Sequence, residues 1–229
     1  ALAFSATVAI ADDLHVPRDH ATIQEAINAA EDGDVIHIAA GEHVADSLDP
    51  LGKDIHLIGV ENQTVLRPST AGRILYVHSG EGPLTRFESL TFTGMNSDDT
   101  AVRLTNVDVS FINCTFSDNT AHPYNGGGYD SPGNGAAVEG YGGSPNFHGC
   151  HFQSNTSVGD DHVPAPGGAI WFKSGSPEFV ECTFGNNSCE RLHDVGAAGR
   201  GGAIYLNMCN DVVLQECQFQ DNKVVPDDW

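Results

Sequence analysis

The chain has 229 residues, enough for one good-sized solenoid domain, and no Pro-rich or Ser-rich linker divides it. It carries 10 Lys and Arg against 31 Asp and Glu, for a formal charge of −21 and an isoelectric point near 4.5. This charge argues against a nucleic acid or an anionic membrane surface as partner, because both repel an acidic surface. No stretch approaches the roughly 18 apolar residues of a membrane span, so we expect no transmembrane segment.

Residues 1–11 are apolar and two acidic residues follow them. The run Ala9-Ile10-Ala11 has the small-x-small pattern of a signal-peptidase site. Two interpretations stay open: a remnant of an export signal, or a hydrophobic first strand. We expect an exported protein, in an extracellular, periplasmic or organelle-lumen compartment.

The segment His20–Asp34 has the pattern of a short amphipathic helix, with Thr22 and Glu25 as a capping box and Gly33 as the predicted stop. Four apolar residues share one face of this helix: Ile23, Ala26, Ile27 and Ala30. Because the ends of a solenoid expose apolar layers, we expect the helix at Thr22–Ala30 to cover the first coil.

Strand-like tracts follow the helix, with turns predicted at Gly41 and Gly52. The predicted strands are residues 34–39, 54–60 and 64–66. Together with the helix they form a unit that differs in pattern from the rest of the chain, so we assign residues 12–66 to an N-terminal cap and first coil.

A repeat of 32 to 36 residues fills the remainder of the chain. Its clearest copy runs from Gly167 to Asn187, and copies align on four cysteines: Cys114, Cys150, Cys182 and Cys217. A unit this short buries its apolar face only against its neighbours, which is typical of a solenoid. We expect a single domain over residues 12–229, with repeat coils at 72–222 and a tail at 223–229.

Alternation within one copy predicts which side chains point inward. In the first strand of the unit, two inward columns are expected: Val102, Val138, Ile170 and Ile204, then Leu104, Gly140, Phe172 and Leu206. The pattern F-x-x-C-x-F predicts a second strand with its Cys and Phe inward, and each unit closes with an Asn corner: Asn119, Asn155, Asn187 and Asn222. Residues 72–96 form a degenerate coil in which Leu90 replaces Cys, Phe92 keeps the Phe position and Asn96 is displaced by one residue.

The tetrapeptides GGAI at 167–170 and FxxN at 184–187 resemble the repeats of polymorphic outer-membrane proteins. The run VPRDHATIQEAINAAEDGDVIHIAAGEH resembles the N-terminal cap of the pectin-lyase-like superfamily, which includes pectin methylesterases, lyases and polygalacturonases. The resemblance implies an all-β fold, a right-handed parallel β-helix of five to six coils with a short N-terminal capping α-helix. It implies little about chemistry, because the cap is shared by active and inactive members.

The outward side of the first repeat strand is the candidate ligand-binding surface, since aromatic rings beside charged groups are suited to sugar rings and their hydroxyls. Its candidate residues are Arg103, Glu139, Tyr141, Trp171, Lys173 and Tyr205. The alternative is that loops cover these aromatic rings.

Variable segments follow the Asn corners at 120–134, 156–166 and 188–200, and we expect them to leave the stack as loops along one flank. Their side chains include oxygen and imidazole groups: His122, Tyr124, Tyr129, Asp130, Asp160, Asp161, His162, Glu190, Arg191, His193 and Asp194. No spaced ligand motif occurs among them, so we predict no cofactor and leave only a calcium site open. Cys189 and Cys209 lie outside the cysteine column and are the one candidate disulfide pair.

Catalytic motifs of polysaccharide-active relatives are not found in the sequence, and Glu139 near Lys173 is the one acid–base pairing on the outward surface. We therefore expect a non-catalytic exported structural or interaction module that presents a rigid acidic surface to a protein or glycan partner. The alternative is a polysaccharide-binding or polysaccharide-degrading protein. Little sequence follows the last Asn corner, so we expect a protein partner or larger assembly at the C-terminal end or the loop flank.

Overall fold

A computed structural model of the chain describes residues 11–70, 72–123, 134–159, 165–191 and 199–225. In this part of the chain one short helix is followed and preceded by short strands, and all the strand pairs are parallel. The N-terminal elements are β1 (Asp13–Val16), α1 (Ile23–Ala29), β2 (Val35–Ile38), β3 (Gly41–Val44), β4 (His56–Ile58) and β5 (Thr64–Arg67).

Five coils of four strands each follow these elements. The first two coils contain β6 (Leu75–Val77), β7 (Arg86–Glu88), β8 (Thr91–Thr93), β9 (Asn96–Ser97), β10 (Val102–Thr105), β11 (Ser110–Ile112), β12 (Thr115–Ser117) and β13 (Thr120–Ala121). The next two contain β14 (Val138–Tyr141), β15 (Asn146–His148), β16 (His151–Gln153), β17 (Thr156–Gly159), β18 (Ile170–Gly175), β19 (Glu178–Val180), β20 (Thr183–Gly185) and β21 (Ser188–Arg191). The last described coil contains β22 (Ile204–Cys209), β23 (Val213–Gln215), β24 (Gln218–Gln220) and β25 (Lys223–Val224).

Equivalent strands of successive coils pair to give four parallel sheets, so the fold is a parallel β-helix as the repeat predicts. We number them in order around a coil. Sheet I is β6-β10-β14-β18-β22, and sheet II is β1-β2-β4-β7-β11-β15-β19-β23. Sheet III is β3-β5-β8-β12-β16-β20-β24, and sheet IV is β9-β13-β17-β21-β25.

The interior is built from columns in which one residue type recurs from coil to coil. In one column Phe87, Phe111, Phe147 and Phe179 stack with ring centroids 4.9 to 5.0 Å apart. A second column stacks at 4.7 to 5.0 Å: Phe92, Phe116, Phe152, Phe184 and Phe219. Edge-to-face contacts join the two columns, so the core repeats one favourable aromatic geometry along the axis.

The predicted asparagine column is a hydrogen-bonded ladder. Asn155 donates its Nδ2 to Phe116 O at 2.9 Å and to Asn187 Oδ1 at 3.0 Å, while its own Oδ1 accepts from Asn119 Nδ2. Asn187 repeats the pattern with Asn222. In the degenerate coil Met95, not Asn96, occupies the ladder position, and its N–H donates to Asn119 Oδ1. The displaced Asn96 is exposed and lies in β9.

The F-x-x-C-x-F tract is two strands, not the single strand that its pattern predicts. Between β19 and β20 the backbone turns at Glu181, whose φ of 54° is left-handed. This corner explains why Phe179 and Cys182, three residues apart, both point inward. The same corner is held by Asn113 and Gly149 in the two preceding coils.

The segments expected to leave the stack as loops each begin inside it, which corrects the prediction. Strands β13, β17 and β21 continue the coil beyond the Asn corner and form sheet IV. Their inward positions include Ala121, Ser157 and Cys189, all fully buried. Cys189 therefore belongs to an inward column after all, and its thiol donates to Gly201 O at 3.2 Å.

Helix α1 confirms the predicted capping box, with Thr22 Oγ1 accepting from Glu25 N and Thr22 N donating to the Glu25 side chain. It ends at Ala29, so Gly33 does not terminate it, and Gly41 begins β3 and does not form a turn. The side chain of Lys53 caps the C-terminal end of the helix instead. Its Nζ donates to the carbonyl oxygens of Ile27, Asn28 and Ala30 at 2.6, 3.1 and 2.7 Å, where a cation also complements the helix dipole.

All six cysteines are free thiols, so the candidate pairing of Cys189 with Cys209 does not occur. Cys209 donates to Phe172 O, and Cys114, Cys150, Cys182 and Cys217 each donate to a Phe carbonyl of the preceding coil. Burial raises the pKa of Cys189 to about 12, which keeps it protonated as a donor.

Candidate ligand-binding face

The outward surface of sheet I has the register that the sequence predicts. Arg103, Glu139, Trp171 and Tyr205 pair across neighbouring strands, and Tyr141 pairs with Lys173 in the next column. The degenerate coil extends the first column, because Tyr76 pairs with Arg103. Parallel in-register strands therefore bring residues from five coils onto one surface.

Glu139 is the centre of a hydrogen-bond network and is 3% exposed. Its carboxylate accepts from Arg103 Nε at 2.6 Å, from Asn134 Nδ2 at 3.0 Å and from the Tyr141 hydroxyl at 3.0 Å. Arg103 NH2 also pairs with it. The expected pairing of Glu139 with Lys173 is absent among the described contacts, because Arg103 supplies the cation from the neighbouring coil.

The same network fixes the ionisation of its members. Burial, together with the Glu139 carboxylate, raises the pKa of Tyr141 to about 12, so the hydroxyl stays a neutral donor. Burial alone would lower the pKa of Arg103, but the Glu139 carboxylate outweighs it and the pKa rises. The Glu139 carboxylate thus organises the surface from within, because it is buried, bonded by Arg103, Asn134 and Tyr141, and does not face a ligand.

Trp171 points outward, as its parity predicts, yet it is only 7% exposed. Its ring meets Tyr141 edge-to-face with centroids 5.0 Å apart. The expectation of an exposed platform at Trp171 is therefore wrong, and the accessible ring in this part of the face is the half-buried Tyr141.

Five further groups, none of them predicted from the sequence, lie at the two ends of the face. Arg73 forms a two-pronged ion pair with Asp99, with Nη2 2.7 Å from both oxygens, and lies 4.6 Å from the centre of the Tyr76 ring. His78 stacks on that ring at 3.9 Å. At the other end Arg200 donates to the Tyr205 hydroxyl at 3.1 Å. Parity would have found Tyr76, whereas Arg73, Asp99 and Arg200 lie outside strands and follow no period.

Cations are concentrated on this face. Four of the ten Lys and Arg residues lie on it: Arg73, Arg103, Lys173 and Arg200. Lys173 is exposed, and its ammonium has no partner among the described residues. Asp99 and Glu139 neutralise Arg73 and Arg103, so Lys173 and Arg200 are the cations of this face without an ion-pair partner among the described residues.

The predicted docking end and loop flank have different outcomes. In the last described coil Leu214 and Phe219 are 49% and 51% exposed and line an open cavity of about 510 Å³. A docking role for this surface stays a prediction. On the flank, His122 bonds Asn96 and Glu190 accepts from Ser188. The flank residues outside the described ranges are Tyr124, Tyr129, Asp130, Asp160, Asp161, His162, His193 and Asp194.

Comparison with known proteins identifies a family model and similar solved structures. A model described as a right-handed β-helix region matches residues 56–226. Pectin methylesterase PemA from Erwinia chrysanthemi is similar, with a TM-score of 0.51 and 15% identity over 80% of this chain and 56% of that one. The Aspergillus niger pectin methylesterase aligns at 0.46 and 12% over 96% and 86%. No curated protein matches in sequence.

At these identities the likeness shows the fold alone, and this chain spans about 56% of the length of PemA. The family model and the likeness to PemA confirm the right-handed parallel β-helix that the sequence predicts. The resemblance to polymorphic outer-membrane-protein repeats stays a prediction.

Proposed function

The chain belongs to the right-handed β-helix family, and from that premise we propose that it binds an extended acidic polysaccharide along the outward face of sheet I, without cleaving it. The proposal combines the expected non-catalytic module with the expected glycan partner. The proposed binding surface for this glycan is the one that carries the candidate residues.

The observation that carries the proposal is an alternation of rings and cations along the axis. Tyr76, Tyr141 and Tyr205 come from every second strand of sheet I, and Arg103 and Lys173 come from the two strands between them. Alternate strands are about 10 Å apart, a length comparable to two sugar rings of an extended chain. A polysaccharide along the axis would stack alternate sugars on tyrosine rings and present acid groups to the cations between them.

The cations contribute unequally. Arg103 is neutralised by Glu139, so it orients the surface more than it attracts an anion. Lys173 is exposed and is the stronger electrostatic contact for an incoming carboxylate. The structural neighbour PemA is a pectin methylesterase by name, which supports a polysaccharide as the class of ligand.

Calorimetric titration with polygalacturonate at low salt tests the proposal, with a neutral dextran as the comparison ligand. We expect measurable binding of polygalacturonate only, and a loss of about tenfold in affinity for Lys173→Gln and for Tyr205→Ala. Neither substitution removes a hydrogen-bond partner of Glu139.

Arg67→Gln is the matched control, because Arg67 is an exposed cation on sheet III. The proposed site would be overturned if dextran bound as tightly as polygalacturonate, or if both Lys173→Gln and Tyr205→Ala kept full affinity for polygalacturonate. Release of methanol, of reducing ends or of unsaturated ends from the polysaccharide would overturn the non-catalytic part.

An exported location accompanies this function, because such a ligand lies outside the cytoplasm. No helix among the described residues is long and apolar enough to cross a membrane. Residues 1–10 lie outside the described residues, so the export-remnant interpretation of the opening segment stays a prediction. N-terminal sequencing of the protein recovered from its source tests it, and retention of the full apolar segment on the mature protein would contradict it.

A further inference from the structure

A groove of about 450 Å³ lies on sheet II, away from the candidate face, where three neighbouring strands begin. It is lined by Asp32, Gly33, Val35, Asp54, His56, Leu84 and Arg86. This volume is in the range of small-molecule sites and suits a ligand of amino-acid size.

Parallel strand order assembles the groove from three segments that are distant in sequence. Val35, His56 and Arg86 pair in register on β2, β4 and β7, and their side chains form the floor. Parallel strands start at the same edge of a sheet, so the residues that precede them meet there as a wall. Two of these are the carboxylates Asp32 and Asp54, and the third is Leu84, which is 59% exposed.

Arg86, Asp32 and Asp54 take part in no ion pair among the described residues. Arg86 is exposed, and no carboxylate of the described residues lies within ion-pair distance of its guanidinium. Asp32 accepts only the backbone N–H of Asp54, at 3.0 Å. His56 Nε2 is buried and lies 3.0 Å from Glu88 Oε2 without forming a hydrogen bond, so Arg86 is the cation of the groove that is open to a ligand.

We propose that this groove binds a small zwitterion, an α-amino acid with a branched apolar side chain. Its ammonium pairs with Asp32 and Asp54, its carboxylate pairs with Arg86, and its side chain covers Leu84 and Val35. A simple anion is repelled by the two carboxylates and a simple cation by Arg86, whereas a zwitterion satisfies both signs.

Titration of isotope-labelled protein with L-leucine, followed by NMR, tests the proposal on the unaltered chain. Leucine at millimolar concentration is expected to shift the methyl signals of Leu84 and Val35. We expect 4-methylpentanoate, which lacks the ammonium, and 3-methylbutylamine, which lacks the carboxylate, each to bind about tenfold more weakly. No shift with leucine, or equal binding of either analogue, would overturn the proposal.

Single substitutions then test each contact. Arg86→Gln and Asp54→Asn are each expected to weaken leucine binding about tenfold, and Arg67→Gln on sheet III is expected to leave it unchanged. Full affinity in Arg86→Gln contradicts the proposal. Circular dichroism establishes whether each variant folds, and the comparison of ligands on the wild-type chain decides the question if one does not. These variants lie off sheet I, so a failure here is independent of polysaccharide binding.

Discussion

Phe147 and Tyr141 lie in the same coil, yet their neighbours in the coils above and below are of opposite kinds. Phe147 stacks on Phe111 and on Phe179, in each case with centroids 5.0 Å apart. Tyr141 meets Trp171 on one side and has the Arg103 guanidinium 6.0 Å from its ring on the other. Inside, each coil repeats the residue that fits its neighbour, whereas outside each coil contributes a different group. Repetition therefore indicates stability, and variation on a regular frame indicates recognition.

The largest effect is expected from breaking an inner column. Phe147→Ala removes a fully buried ring that is stacked on both sides and should cost about 4 kcal/mol of unfolding free energy. Urea denaturation measures it, with Lys173→Ala as the outward control. If the two variants lose similar stability, the inside and outside of the coil do not differ as proposed.

A slightly smaller loss of unfolding free energy is expected when the asparagine ladder is interrupted. Asn155→Ala removes the buried side-chain hydrogen bonds with Asn119 Nδ2, Phe116 O and Asn187 Oδ1, at a cost of about 3 kcal/mol. The control is Asn96→Ala, since Asn96 is exposed and its side chain bonds the half-buried His122. A change near zero for Asn155→Ala would show that backbone pairing alone holds the corner.

The Glu139 network lies on the outward face but is largely buried, so we expect an effect between those of an inner column and an exposed ion pair. Glu139→Gln leaves Arg103 without its counterion and should cost about 2 kcal/mol, less than a fully buried pair because Arg103 is 33% exposed. The exposed pair of Arg67 with Glu42 provides the control, and Glu42→Gln should change stability by less than about 0.5 kcal/mol. If Glu139→Gln and Glu42→Gln changed stability by the same amount, Glu139 would be no more important to folding than an exposed surface charge.

The same network predicts a pH dependence at alkaline pH. The pKa of Tyr141 is raised from 10 to about 12 in the folded chain, so its contribution is fully present below pH 10. The unfolded chain releases this proton first, and the contribution is lost as pH rises from about 10 to 12. Denaturation midpoints of wild type and Tyr141→Phe measure it. A parallel decline in both would exclude Tyr141 as its source.

The smallest effect is expected at a corner, where a stabilising change is predicted. Glu181 holds a left-handed φ that costs a non-glycine residue free energy, and Gly149 holds the same position one coil earlier. Glu181→Gly should therefore raise stability by about 0.5 kcal/mol, and Gly149→Ala should lower it, because a Cβ there would clash with Asn113. Thermal unfolding of both variants measures the pair, and destabilisation by Glu181→Gly would contradict the argument.

The columns were predictable because their residues recur at a fixed spacing. Cys182, Phe184 and Asn187 each have a counterpart in the other repeats, so one alignment predicts the inward parity and the ladder. The corner at Glu181 was not predictable, since glutamate is an ordinary strand or loop residue and not a turn signal. Sheet IV was not predicted because its strands are only two to four residues long. Each of them lies at the start of a segment whose sequence varies from coil to coil.

The candidate face was predictable in its register but not in its contacts. Parity places Glu139 and Trp171 outward, but their burial depends on Asn134, Arg103 and Tyr141, whose side-chain directions no period encodes. The groove on sheet II had no sequence signal at all. Asp32 and Arg86 belong to different coils and meet only because parallel strands share one starting edge.

The direction of the strand pairing has a mechanical consequence. Every strand pairs with its equivalent in the next coil, so the hydrogen bonds between coils lie along the long axis of the solenoid. A pulling force along that axis passes through every interface between coils in series and stretches the hydrogen bonds of each interface directly. A force across the coils, along the strands, loads a whole sheet in shear. The molecule is therefore compliant along its length and stiff across it, and a long ligand attached to several coils of sheet I would brace its compliant direction.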